Sequence, residues 1–151
     1  MVQPHKAYFG EKDAQQLAII RRLVGDFNLP IDVVEIPTVR ESDGLAMSSR
    51  NRLLSPEERR LAPLLYEALD DARRRILAGE RDSRAIREAA AARIPQTDQH
   101  LVSGLSLKLE YLEIVDPATM QPVDDVDRPV RVAGALWVGS TRLIDNMLVK
   151  P

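Results

Sequence analysis

The stretch that most restricts the fold is "AQQLAIIRRLVGDFNLPIDVVEI", residues 14–36. Leu17, Ile20, Val24 and Phe27 recur at spacings of three and four, the apolar stripe of an amphipathic helix. Asp13 stands where its N-cap belongs, able to accept a bond from an orphan backbone N–H. "NLP" ends the helix, and "IDVVEI" follows as a short β-branched strand stopped by Pro37. A helix feeding a buried strand is half of a β–α–β crossover, so a parallel sheet is expected. The "FGEKD" ahead of it reads as a polar loop with no strand or helix before it.

Beyond residues 37–54, which carry no periodicity, "SPEE" sets Ser55 as an N-cap, Pro56 in the first turn and Glu58 three residues past the cap. Leu61, Leu65, Leu69, Ala72 and Ile76 then mark one buried stripe, closed by Gly79, with Pro63 bending its early turns. A second, alanine-rich helix is expected from Ser83 to Ile94, ahead of Pro95. The texture then changes: "LKLEYLEIV", "PVRVAGALWV" and "TRLIDNMLV" read as three strands, joined first by a loop rich in turn formers. The expected organisation is therefore an α/β fragment over residues 1–50, followed over 51–151 by a small α+β unit of two helices and a three-stranded antiparallel sheet.

Composition excludes several functions. With 21 basic against 23 acidic residues, the near-neutral charge argues against a dedicated nucleic-acid binder. With no cysteine, disulfides, thiolate metal sites and cysteine nucleophiles are ruled out. The opening has no apolar run of signal-peptide type and no later run reaches membrane-spanning length, so a soluble, cytoplasmic protein is expected.

Two loops hold the residue types suited to an anion. In "FGEKDAQQ", Gly10 permits a positive φ and close approach, Lys12 offers a mobile charge, and the helix start aims free N–H groups forward. An exposed loop with a solvated lysine explains the same letters. In "PTVRESDGLAMSSRN", Ser48, Ser49 and Arg50 supply two hydroxyls and a five-donor fork, with Gly44 as a possible hinge. A polar surface loop leading into the capped helix is the competing reading. "DDARRR" at 70–75 reads as a solvated helix face, His5 and His100 as loop residues, Trp137 and Met147 as core, and Asp124, Asp125 and Asp127 as turn formers.

"FGEKDAQQL", "PTVRESDGLAMSSRNRLL", "LEYLEIVD" and "TRLIDN", in this order, resemble the pantothenate synthetase (pantoate–β-alanine ligase) family over about residues 2–149. The resemblance implies that the first 50 residues close a Rossmann-like nucleotidyltransferase domain related to class I aminoacyl-tRNA synthetases. "MSSRN" then takes the place of their KMSKS-type phosphate loop. It also implies that residues 51–151 form a lid-like domain. The implied reaction condenses pantoate with β-alanine through a pantoyl adenylate, consuming ATP as a substrate with magnesium and needing no tightly bound cofactor. By position, Gly10, Glu11, Lys12, Asp13, Val39, Met47, Ser48, Ser49 and Arg50 line the ATP site. Lys12, Ser48, Ser49 and Arg50 stabilise phosphate charge in it, and Gln16 binds pantoate.

The family's other half carries an H-x-G-H motif whose histidines help activate ATP, and no H-x-G-H occurs in the 151 residues. A truncated chain, inactive alone, is the expectation. A non-catalytic C-terminal domain is the alternative, self-associating or dimeric through an exposed sheet edge, with no nucleic-acid or membrane partner.

Overall fold

The computed structural model describes residues 3–95 and 105–151, and His100 lies outside them. Among those residues two sheets carry the fold. The first is a parallel pair, β1 (Lys6–Gly10) and β2 (Asp32–Ile36), in register from Lys6 opposite Asp32 to Gly10 opposite Ile36. Helix α1 (Ala14–Asp26) connects them, so the crossover is complete rather than half. β1 corrects the expectation that nothing precedes "FGEKD". "KAYFG" has five residues and no β-branched one, and it becomes a strand only because β2 offers a partner.

Two local expectations for α1 also give way. Winding begins in a 3-10 turn over Glu11–Asp13, so Asp13 lies inside the winding and its side chain caps nothing. The stripe buries only at its start: Leu17 is covered, but Phe27 is 72% exposed, because a two-stranded floor is too narrow to cover a 13-residue helix.

The stretch 37–54 is more regular than its letters suggest. Arg40 bridges Ala46 as a small hairpin, closed by Glu41 N–H to Leu45 O and Met47 N–H to Val39 O, both 2.9 Å. A 3-10 turn, Ser49–Leu53, follows. Ser55 and Glu58 form the reciprocal capping box ahead of α2 (Pro56–Leu61). Pro63 does more than bend the next helix: it ends α2 and begins a separate α3 (Leu64–Leu77), which Gly79 closes at φ +101°. Helix α4 (Ser83–Ala91) is capped by Asp82 and stops three residues short of Ile94, since the residue before Pro95 resists helical geometry.

β3 (Leu107–Val115), β4 (Val130–Val138) and β5 (Thr141–Val149) make an antiparallel meander, with a bulge between Leu109 and Tyr111. The central β4 is covered on both faces. Val130, Val132, Leu136 and Val138 join Leu65, Leu69, Ile76 and Ile86 in the core. Gly134 lets α3 settle there, since a methyl group in its place would stand 2.9 Å from Leu65 Cδ1. On the opposite face lie Arg131, Ala133 and the 3-10 turn that opens α1. The three-stranded sheet is therefore a partition between α3 and the start of the crossover.

Candidate active site

The end of β1 delivers Gly10 and Lys12 to an open cleft of about 520 Å³, shared with Ile36, Thr38, Val39 and Met47. Val39 and Met47 are 62% and 57% exposed, so apolar surface waits there beside a cation. Met47 also borders a second hollow of about 560 Å³ that contains Ser48, Ser49 and Arg52. Lys12 likewise borders a smaller pocket of about 190 Å³ with Asp13, Gln16 and Tyr111. The cleft therefore shares Lys12 with the small pocket and Met47 with the hollow. The arrangement offers an apolar ledge, a mobile ammonium and two hydroxyls, a set matched to a nucleotide's base and phosphates.

Several residues sit differently from their expected roles. Gly10 has φ −71° and no neighbour within 4 Å of a built methyl group, so no left-handed backbone explains it. Only the openness of the cleft remains as a reason. The Glu11 side chain turns toward Glu35 and Arg131, and burial followed by the Glu35 hydrogen bond pushes its carboxyl above the usual range. Gln16 lies in the smaller pocket and not in the cleft of Val39 and Met47. Ser48 Oγ accepts from the Arg50 backbone N–H at 3.2 Å, which caps the 3-10 turn and leaves the hydroxyl proton to donate elsewhere. Arg50 is exposed and borders neither the cleft nor the hollow.

The loop is held rigidly. Arg59 donates to Asp43 at 2.6 Å and to Glu41 at 2.7 Å, and these bonds hold both carboxyls below their ordinary values. Asn51 donates to Glu41 at 3.0 Å and to the Ala46 carbonyl at 3.2 Å. Gly44 is packed, not a free hinge: it has φ +88°, and a methyl group there would stand 2.3 Å from the Tyr66 ring.

The groups that join the two loops to the body escaped the sequence reading. Arg40, lying 4.9 Å over the Tyr66 ring, forms a forked pair with Asp145 at 2.6 and 3.0 Å. The Asn146 amide donates to the Glu11 and Lys12 carbonyls, each at 2.9 Å. One signal was available: "DN" puts two consecutive polar residues between the apolar "LI" and "MLV" of β5. "DDARRR" behaves as read, with Arg73 and Arg74 paired to Asp70 and Arg75 to Asp71.

The site thus belongs to an α/β protein in which a lysine-bearing β–α–β turn shares a cleft with Val39 and Met47, while Ser48 and Ser49 line a hollow that Met47 also borders. A family model for pantoate-beta-alanine ligase matches residues 1–148, and the chain belongs to that family. The chain is 49% identical over 149 residues to a pantothenate synthetase of Thermotoga petrophila, covering 99% of this chain and 51% of that one. It is 50% identical over 151 residues to a bifunctional pantoate ligase/cytidylate kinase of Synechococcus, covering all of this chain and 27% of that one. The crystal structure of pantothenate synthetase from Thermus thermophilus superposes with a TM-score of 0.87 at 42% identity, over 99% of this chain and 51% of that one. A Francisella tularensis pantoate-beta-alanine ligase complexed with beta-gamma ATP and beta-alanine superposes at 0.59 with 28% identity, over 97% of this chain and 44% of that one. The chain spans about half the length of the curated pantothenate synthetases it matches.

Proposed function

We propose that this chain supplies the ATP-gripping part of a pantoate–β-alanine ligase. Residues 1–50 act as the end of a Rossmann-like nucleotidyltransferase domain and 51–151 as its lid-like companion. In this reading the pantoate carboxylate attacks the α-phosphorus of ATP, pyrophosphate leaves, and the β-alanine amine displaces AMP from the adenylate. The attacking carboxylate is already ionised, so no general base is asked of this segment. Val39 meets the adenine, Gln16 holds pantoate, and Lys12, Ser48, Ser49 and Arg50 offset the charge growing on the leaving pyrophosphate. Arg50 reaches the phosphates only if its exposed side chain swings toward the cleft. Magnesium arrives with the triphosphate, since the cleft offers cations and hydroxyls that suit phosphate oxygens rather than a metal. The sequence has no H-x-G-H motif, so ligation is assigned to this chain acting with a polypeptide that carries it.

The observation that carries this reading is the shared cleft of Lys12, Val39 and Met47. Calorimetric titration with magnesium–ATP tests it. Weak saturable binding is expected, and Lys12→Ala should weaken it about tenfold, the value of one charge-assisted contact. Adding a relative's H-x-G-H-bearing half should tighten binding and restore pantothenate formation. Absence of saturable binding, with and without that half, would sink the reading.

A self-associating role rests on a separate observation. Tyr8, Ile19, Leu23, Phe27 and Ile36, all on the β1–α1–β2 unit, are exposed to between 42% and 72%. Sedimentation at increasing concentration should show a dimer that Phe27→Glu dissolves. A strictly monomeric chain would remove this role and leave ATP binding untouched.

A further inference from the structure

We propose that Asp145 and Asn146 are positioning residues that set both phosphate-facing loops from one point on β5. The proposal rests on the ATP-gripping reading of the Lys12 turn and the serine hairpin. Successive side chains of a strand point to opposite faces. Asp145 pairs with Gly134 and faces the α3 side, where it grips Arg40. Arg40 in turn donates to the Gly44 carbonyl at 3.0 Å, within the hairpin that carries Met47 and Ser48. Asn146 pairs with Ala133 and faces the crossover side, where its amide holds the Glu11 and Lys12 carbonyls.

The two grips are locked to each other. Asp145 accepts from the Asn146 backbone N–H at 2.7 Å, Arg40 donates to the Asn146 carbonyl at 3.3 Å, and Arg131 donates to the Asn146 side-chain oxygen. Both residues are 5% exposed, so they cannot swing aside. Apolar residues of equal volume would serve a core at least as well. What only this pair provides is a fixed distance between the lysine turn and the hairpin, the quantity on which gripping one triphosphate depends.

The test uses near-isosteric variants. Asn146→Asp keeps the oxygen facing Arg131 and removes both donors to the lysine turn. Asp145→Asn keeps the shape and removes the charge facing Arg40. Asn146→Ser and Arg40→Lys replace them should either fail to fold. Nuclear magnetic resonance should show the Glu11 and Lys12 carbonyl shifts moving in Asn146→Asp alone. Faster amide exchange at Glu41, Gly44 and Met47 is expected in Asp145→Asn. Each variant should bind magnesium–ATP at least tenfold more weakly. Ile86→Val, in the distant α4 core, should lower the melting temperature and leave affinity within twofold.

Folded variants with unaltered loop signals, or with wild-type ATP affinity, overturn the proposal. Should the wild-type chain itself fail to bind ATP, the ATP-gripping reading falls. The loop signals then decide the positioning claim alone: selective changes uphold it and unchanged spectra end it.

Discussion

Gly44→Ala should lower the unfolding free energy by about 2–5 kcal/mol and weaken ATP binding with it. Two costs add. The backbone at φ +88° is one that side-chain-bearing residues adopt at a penalty of roughly 1–2 kcal/mol. The new methyl group would also lie 2.3, 2.4 and 2.7 Å from three Tyr66 ring carbons, and relieving such overpacking costs about 1–3 kcal/mol. The ring is not free to retreat at no cost, because the Arg40 guanidinium rests on its face and is itself forked to Asp145. A displaced ring therefore moves Arg40, and with it the hairpin that presents Met47 and Ser48.

Gly79→Ala separates the two costs. Gly79 has φ +101° but no neighbour within 4 Å, so it should lose only about 1 kcal/mol and keep its ATP affinity. Equal losses in the two variants, measured by urea denaturation, would show that the Tyr66 ring is no barrier.

Local chemistry made much of the fold legible. Ser55, Pro56 and Glu58 specify a helix start within four residues, and the structure contains it atom for atom. β3 and β5 match their expected limits because their apolar patterns are long and bounded by turn formers. β1 was not legible, since five residues gain strand geometry from β2, 26 positions along the chain. Asp13 failed as a cap because helical winding had already begun at Glu11, a choice the pairing of β1 enforces.

The site divides the same way. Lys12 was named from the chemistry of its loop, Val39 and Met47 only through the resemblance to the ligase family, and the three share a cleft. Arg40 and Asp145 meet across 105 positions, a separation at which only the folded sheet can reveal a pair. A buried "DN" is visible in the letters, but its two partners on two faces are not.

Leu69→Ala should be the most damaging change outside the loops, costing about 2–5 kcal/mol while leaving ATP affinity nearly intact in the folded fraction. Leu69 is fully buried on α3, and its Cδ2 lies 3.5 Å from where a methyl group on Gly134 would stand. The position of β4 directly beneath it is Gly134, so no side chain at that position can lean into the void. A cavity that cannot collapse costs more than one that can, which places this site toward the upper end of the range. Against a typical total of about 5–15 kcal/mol, that is a third of the stability or more. Affinity should survive because Leu69 takes no part in the hydrogen bonds that Arg40, Asp145 and Asn146 make to the two loops, and Tyr66 keeps its place one turn away beneath Arg40. Gly44→Ala and Leu69→Ala should therefore be similar in the melting experiment and different in the titration. If Leu69→Ala were to weaken ATP binding as much as Gly44→Ala, the cleft would depend on overall stability rather than on the contacts that hold its two loops.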